Sequence, residues 1–168
     1  MKEVAHFADE VKSRFPDLNV LLCNAGVLNP RRAETKDGLE MTFQGMFSNA
    51  GGFPAAQHNS NIQIRHVVLC CGAMSLSVTA LDWSDVMAKK EYEKYLVYSR
   101  SKLCLHLMAF ALHRRMNIAR RNVAVNVVEL GKEREPNNNG KISGAEATDE
   151  RLQERLWTYS TELAQGYV

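Results

Sequence analysis

The stretch from Asp85 to Glu129 constrains the fold most. Leu96, Leu103, Leu107, Phe110 and Leu112 recur at helical intervals, a basic turn follows, and Val123-Ala124-Val125-Asn126-Val127-Val128 then reads as a strand. Arg114, Arg115, Arg120 and Arg121 sit where the helix should end, and cations there offset the carbonyl end of its dipole. Near the head of the helix, Tyr98 and Lys102 are four residues apart, which stacks a phenol and an ammonium on one face. An ordinary tyrosine titrates near pH ~10. A neighbouring cation favours the phenolate, so this pairing suits proton transfer near neutral pH. The same spacing also suits an exposed aromatic beside a solvated charge.

The rest of the chain supplies the same kinds of element. Residues 2–15 predict an amphipathic helix, with Val4, Phe7, Ala8, Val11 and Phe15 in one stripe and Pro16-Asp17 as its stop. Leu18 to Cys23 reads as a short buried parallel strand, and Asn24-Ala25-Gly26 as the turn at its end. In an open parallel sheet, ligands bind outside that end. Residues 29–40 predict a polar loop, with a helix start at Lys36-Asp37-Gly38-Leu39. The glycine-bearing stretch about 45–64 has no helical stripe and reads as an irregular insert. Arg65 to Cys71 predicts a second buried strand, where Cys70 and Cys71 read as small buried hydrophobes. Asp82-Trp83-Ser84-Asp85 and Lys89-Lys90 look like a surface excursion. Residues about 132–147 read as a linker. A C-terminal helix is expected at about 148–165, started by Thr148-Asp149-Glu150 and striped by Leu152, Leu156, Tyr159 and Leu163.

A length of 168 residues suits one domain, and 45% apolar with 24% charged residues is an ordinary globular balance. The net charge of +2 is too small to mark a nucleic-acid or membrane surface, and no nucleic-acid partner is expected. No run approaches the roughly 20 apolar residues of a membrane span. The four cysteines lack CxxC spacing, so free thiols and a reducing, cytoplasmic compartment are expected. The five histidines show no metal-ligand spacing, and no metal is expected.

Several motifs together carry a family likeness: Leu21-Leu22-Cys23-Asn24-Ala25-Gly26, Thr35-Lys36-Asp37-Gly38-Leu39-Glu40, Thr42-Phe43-Gln44, Tyr98-Ser99-Arg100-Ser101-Lys102, Leu112-His113-Arg114-Arg115-Met116 and Glu154-Arg155-Leu156-Trp157. On these the chain resembles the short-chain dehydrogenase/reductase superfamily, in its retinol-dehydrogenase-like branch. The resemblance covers about residues 1–44, 65–132 and 148–164. It implies an α/β fold, a partial Rossmann-like domain with about three parallel strands and flanking helices. It also implies an NAD- or NADP-dependent oxidoreductase acting on a small hydrophobic carbonyl or alcohol of retinoid- or steroid-like class.

In that reading Tyr98 and Lys102 are catalytic, and Cys71 stands in the family's Ser position, where a thiol is a weaker donor than a hydroxyl. Asn24, Ala25, Gly26, Lys102 and Gly131 face the cofactor. Gly45-Met46 stand where the family has a catalytic Asn, and Leu130 stands where it has a Pro. A Gly-rich strand–turn–helix for the pyrophosphate is missing from the sequence, so a truncated, impaired enzyme with weak cofactor binding is expected. The alternative is a non-catalytic remnant that acts as a protein-interaction module. A homo-oligomer or a protein partner is open on either reading, and the strand at 18–23 is expected to be an exposed edge.

Overall fold

The computed structural model describes residues 2–46, 64–72, 80–130 and 147–165. Its elements run α1 (Lys2–Arg14), β1 (Val20–Cys23), α2 (the helical residues 41–46), β2 (His66–Gly72), α3 (Lys94–Ile118), β3 (Ala124–Leu130) and α4 (Glu150–Gln165). The expected linker at 132–146 and positions 47–63 of the expected insert lie outside the described residues.

The three strands form one sheet in the order β1-β2-β3, and both pairings are parallel. Val20 pairs with His66 and His66 with Ala124, and the register continues unbroken to Cys23 against Leu69 and Leu130 against Gly72. This is the sheet that the sequence predicted, with β1 at an edge. Val67 and Leu69 are buried on the face that α3 covers. Strand side chains alternate between faces. Val20, Leu22, Ala124, Asn126 and Val128 therefore share the other face, and all five are exposed.

α3 is the spine. Glu93 caps its start, its carboxylate accepting the N–H groups of Tyr95 (3.1 Å) and Leu96 (2.6 Å). The helix is buried almost all round, through Val97, Leu103, Cys104, Leu105, Leu107, Met108, Ala109, Ala111 and Leu112. It needs such a surface because it packs on β2 and β3 on one side and on α4 on another. It ends at Ile118 and is capped by Ala119; beyond the cap Arg120 takes a left-handed φ of 52° while the Arg121 N–H reaches the Met116 carbonyl at 2.9 Å.

α4 starts as expected, with the Asp149 carboxylate accepting the Arg151 N–H at 2.8 Å. Leu156 is fully buried in the core, and Leu152, Tyr159 and Leu163 pack around it. α1 keeps only part of its expected stripe: Ala8 is buried, but Phe7 is 64% and Phe15 53% exposed.

Three expectations are corrected. Lys36-Asp37-Gly38-Leu39 is a turn, not a helix start. Gly38 adopts φ +74°, and the Thr35 hydroxyl and carbonyl tie the turn closed. The helix begins at residue 41 because the buried Glu40 carboxylate accepts the N–H groups of Thr42 (3.0 Å) and Phe43 (2.7 Å). The insert about 45–64 is therefore entered late: Gly45 and Met46 are helical, and Met46 is fully buried. Trp83 is also no surface excursion, since it packs against the core under the Arg155 guanidinium, 4.2 Å from the ring centroid.

Candidate active site

In a parallel sheet the crossover helix returns antiparallel to the strands, so the first turns of α3 lie beside the strands' C-terminal ends. Lys102 sits there. Its side chain is 3% exposed, and Nζ donates to the Cys70 carbonyl of β2 at 3.2 Å. The same ammonium lies 5.1 Å from the centroid of the Tyr98 ring. It also lies 3.6 Å from where a Cβ on Gly26 would stand. One buried cation thus joins Tyr98, the end of β2 and the turn after β1. A buried ammonium is costly unless it is paired, and here a carbonyl and an aromatic face supply the compensation.

The surrounding backbone is fixed from several sides. The Ser101 hydroxyl donates to the Tyr98 carbonyl at 2.6 Å, and His106 Nδ1 lies 3.0 Å from the Lys102 carbonyl. Ser99 and Ser101 are buried. The segment after β1 is stitched to the segment before α3. The Tyr92 hydroxyl donates to the Asn29 carbonyl (2.8 Å), and Arg32 Nε donates to the Met87 carbonyl (3.2 Å).

The sequence-predicted residues divide as follows. Tyr98, Lys102 and Gly26 are brought together. Asn24 and Ala25 lie in the exposed turn beside Gly26. Cys71 lies in β2 opposite Glu129 of β3, one residue beyond the carbonyl that holds Lys102. Gly131 lies outside the described residues.

Sequence reasoning missed the part played by Met46. Its Cε stands 2.7 Å from a Cβ built on Gly26, so the thioether roofs the glycine next to Lys102. The signal was there, in the replacement of a polar family residue by Gly45-Met46. The Cys70 carbonyl carries no side-chain signature and could not be found that way.

The thiols around the site are buried. Burial pushes Cys104 up to about 12 and, with a smaller push from Cys70, Cys23 up to about 11. At neutral pH both are protonated and behave as small hydrophobes. Among the described residues no cluster of His, Cys, Asp and Glu could hold a metal, and no helix is long and apolar enough to cross a membrane.

A dinucleotide would need phosphate-binding amides, open space near the lysine and a cleft to lie in. The sequence has no Gly-rich strand–turn–helix. Met46 fills the space over Gly26, and the cavities flanking α3 measure about 10 Å³ each, room for one water. Among the described residues no fitted dinucleotide site is formed.

The chain matches no protein-family model. It is 34% identical over 148 residues to the WW domain-containing oxidoreductase of Homo sapiens, an alignment covering 78% of this chain and 33% of the relative. Retinol dehydrogenase 14 of Mus musculus is 31% identical over 136 residues, covering 78% of this chain and 39% of the relative. Polyprenol dehydrogenase of the same species is 30% identical over 136 residues, covering 78% and 41%. The chain thus spans about a third to two fifths of the length of these curated relatives. In fold it is similar to a crystal structure of an uncharacterized protein from Mycobacterium paratuberculosis, with a TM-score of 0.78 and 19% identity over 96% of this chain and 71% of that one.

Proposed function

Because this chain is related to the short-chain dehydrogenase/reductase superfamily, we propose that it is a single dehydrogenase-like domain, residues 1–168, that carries the proton-handling half of a carbonyl/alcohol oxidoreductase site but holds its dinucleotide weakly. The observation that carries the reading is the placement of one buried ammonium between the Tyr98 ring, the Cys70 carbonyl and Gly26, at the C-terminal end of a parallel sheet. The Tyr98 hydroxyl is the group that exchanges a proton with a substrate oxygen. Lys102 holds a positive charge over the ring where negative charge develops. Cys71, at the position of the family's Ser, would be a poor hydrogen-bond donor to the same oxygen. The substrate class suggested by the relatives' names is a hydrophobic alcohol such as retinol or polyprenol.

NAD or NADP is the redox partner that such chemistry implies, and the lack of a phosphate anchor sets its affinity. Immobilising a large ligand costs at least about 4 kcal/mol. Contacts at the nicotinamide end alone leave a dissociation constant on the order of millimolar.

Two measurements test the reading. Calorimetric titration at micromolar protein should show no binding of NAD(H) or NADP(H), and a micromolar constant would overturn the weak-binding claim. With the cofactor at millimolar concentration and a hydrophobic aldehyde as substrate, slow turnover should disappear in Tyr98→Phe while the circular dichroism is unchanged. Turnover that survives this substitution removes Tyr98 from the reaction. Failure of the parent chain to turn over at all favours the second reading, a non-catalytic interaction module, for which the open sheet edge is the supporting observation.

A further inference from the structure

Met46 stands between two spaces. On one side its Cε and Sδ lie 2.7 and 3.9 Å from the point where a Cβ on Gly26 would be, and Lys102 Nζ lies 3.6 Å from that same point. The space that the glycine leaves free is the seat of the methionine methyl. On the other side Met46 lines a cavity of about 10 Å³ between α2, α3 and α4, whose other walls are Phe43, Cys104, Leu105, Met108, Leu156 and Ser160. That volume admits one group of water or methyl size. The walls are apolar apart from the Cys104 thiol and the Ser160 hydroxyl, and the hydroxyl is turned to the Met108 sulfur at 3.8 Å. A water there would find too few polar partners, so a methyl can enter without competing with solvent.

We infer that Met46 is the gate of the Tyr98–Lys102 site. Seated on Gly26, it closes the approach to the ammonium; turned into the cavity behind it, it opens that approach. The inference rests on the proton-handling reading given above, since a gate matters only where something must reach Tyr98 and Lys102. The side chain suits the task. Methionine is unbranched, with three rotatable bonds, so its end can move while its Cα stays in α2. Both seats are apolar, so the exchange keeps the methyl out of water. The closed seat is the preferred one, because Cε packs directly on Gly26 there and leaves Met46 and Lys102 only 1% and 3% exposed. A ligand that needs the ammonium or the phenol binds the open minority, and its apparent affinity falls by the open fraction. The group admitted is small, an alcohol or carbonyl oxygen, because the space vacated is that of a methylthio end.

Reductive methylation of the full chain, read at each lysine by peptide mass spectrometry, tests this. Lys102 should label at least tenfold more slowly than the exposed Lys89, at a rate set by how often the gate opens. Met46→Leu removes the terminal methyl seated on Gly26 and keeps an apolar residue of similar volume, a swap that cores tolerate well. It should raise Lys102 labelling at least fivefold. Ser160→Thr adds one methyl to the cavity and keeps the hydroxyl. It should slow Lys102 labelling at least threefold, by denying Met46 its second seat. In both variants Lys89 labelling, circular dichroism and protection of the β2 and β3 amides should match the parent. The inference is overturned if Lys102 labels as fast as Lys89 in the parent, if Met46→Leu leaves the Lys102 rate unchanged, or if Ser160→Thr fails to slow it. A Met46→Leu chain whose Lys102 gains labelling only as the sheet amides lose protection overturns it equally. The labelling needs neither cofactor nor turnover. A chain that labels as expected but reduces no aldehyde retains the gate and loses the reading of Tyr98. Turnover that vanishes in Tyr98→Phe, beside unchanged labelling in Met46→Leu, does the reverse.

Discussion

Lys102 is the residue on which structure and function pull apart. Its ammonium is buried with one carbonyl acceptor and one aromatic face, so it contributes little net stability. Lys102→Met keeps the stem volume and removes the desolvated charge. The expected melting temperature is unchanged or higher, with a free-energy change within about 1 kcal/mol of zero or favourable, while any Tyr98-dependent turnover is lost. A thermal scan in which the variant melts far below its parent would make Lys102 a structural residue and remove the reason to call this a site. The roof over it, Met46, acts through shape alone: Gly26 accommodates the methionine methyl because it has no Cβ, and its backbone is unstrained.

Among the elements, α4 is held to α3 by more than its apolar stripe. The Glu154 carboxylate takes Arg115 at 2.7 and 2.9 Å and Arg114 at 2.6 Å, and the Arg115 guanidinium lies 4.1 Å from the Trp157 ring centroid. These arginines were expected only to offset the dipole of α3; instead two of them carry a cross-helix fork. Hydrogen bonds from Arg115 and then Arg114 hold Glu154 down to about 2, against an ordinary value of 4.5. The folded carboxyl binds its proton less readily than the unfolded one. The contribution is therefore complete above pH 4.5 and is lost as pH falls through about 2. Glu154 is half exposed and solvent screens the pair, so the amount is about 1 kcal/mol or less. Denaturant titrations of the parent and Glu154→Gln should differ by that much at neutral pH and converge near pH 2. A difference that persists undiminished in acid would mean that the ion pairs are not its source. At the far end of α3, Arg120 holds a left-handed φ that costs a side-chain-bearing residue roughly 1–2 kcal/mol. Arg120→Gly should raise the urea midpoint, less the extra chain entropy that glycine brings to the unfolded state. A lowered midpoint would show that the arginine side chain contributes more than its backbone strain costs.

At the scale of the molecule, the strands and helices were legible because their signals are local. Val-rich runs gave β2 and β3, a 3.6-residue period gave α3 and α4, and an Asp before Glu150 marked the start of α4. The start of α2 was misplaced because its cap is a buried glutamate, a residue type whose sequence signal favours helix interiors. Within the site, Tyr98 and Lys102 could be found by spacing, but the Cys70 carbonyl and the Met46 roof arise from contacts between distant segments. The exposure of Phe7 and Phe15 was likewise invisible, since a stripe declares what can be buried and not what arrives to cover it. The parallel register has a further consequence, in time. Every rung joins residues far apart in the chain, Val20 to His66 and His66 to Ala124, so no part of the sheet can close locally. Loop-closure entropy must be met before any rung forms, whereas α3 can grow from neighbouring residues within microseconds. Refolding should accordingly raise the helical signal well before the ladder amides become protected. Until then the three strands are unpaired, and concentrated chains can meet one another through them.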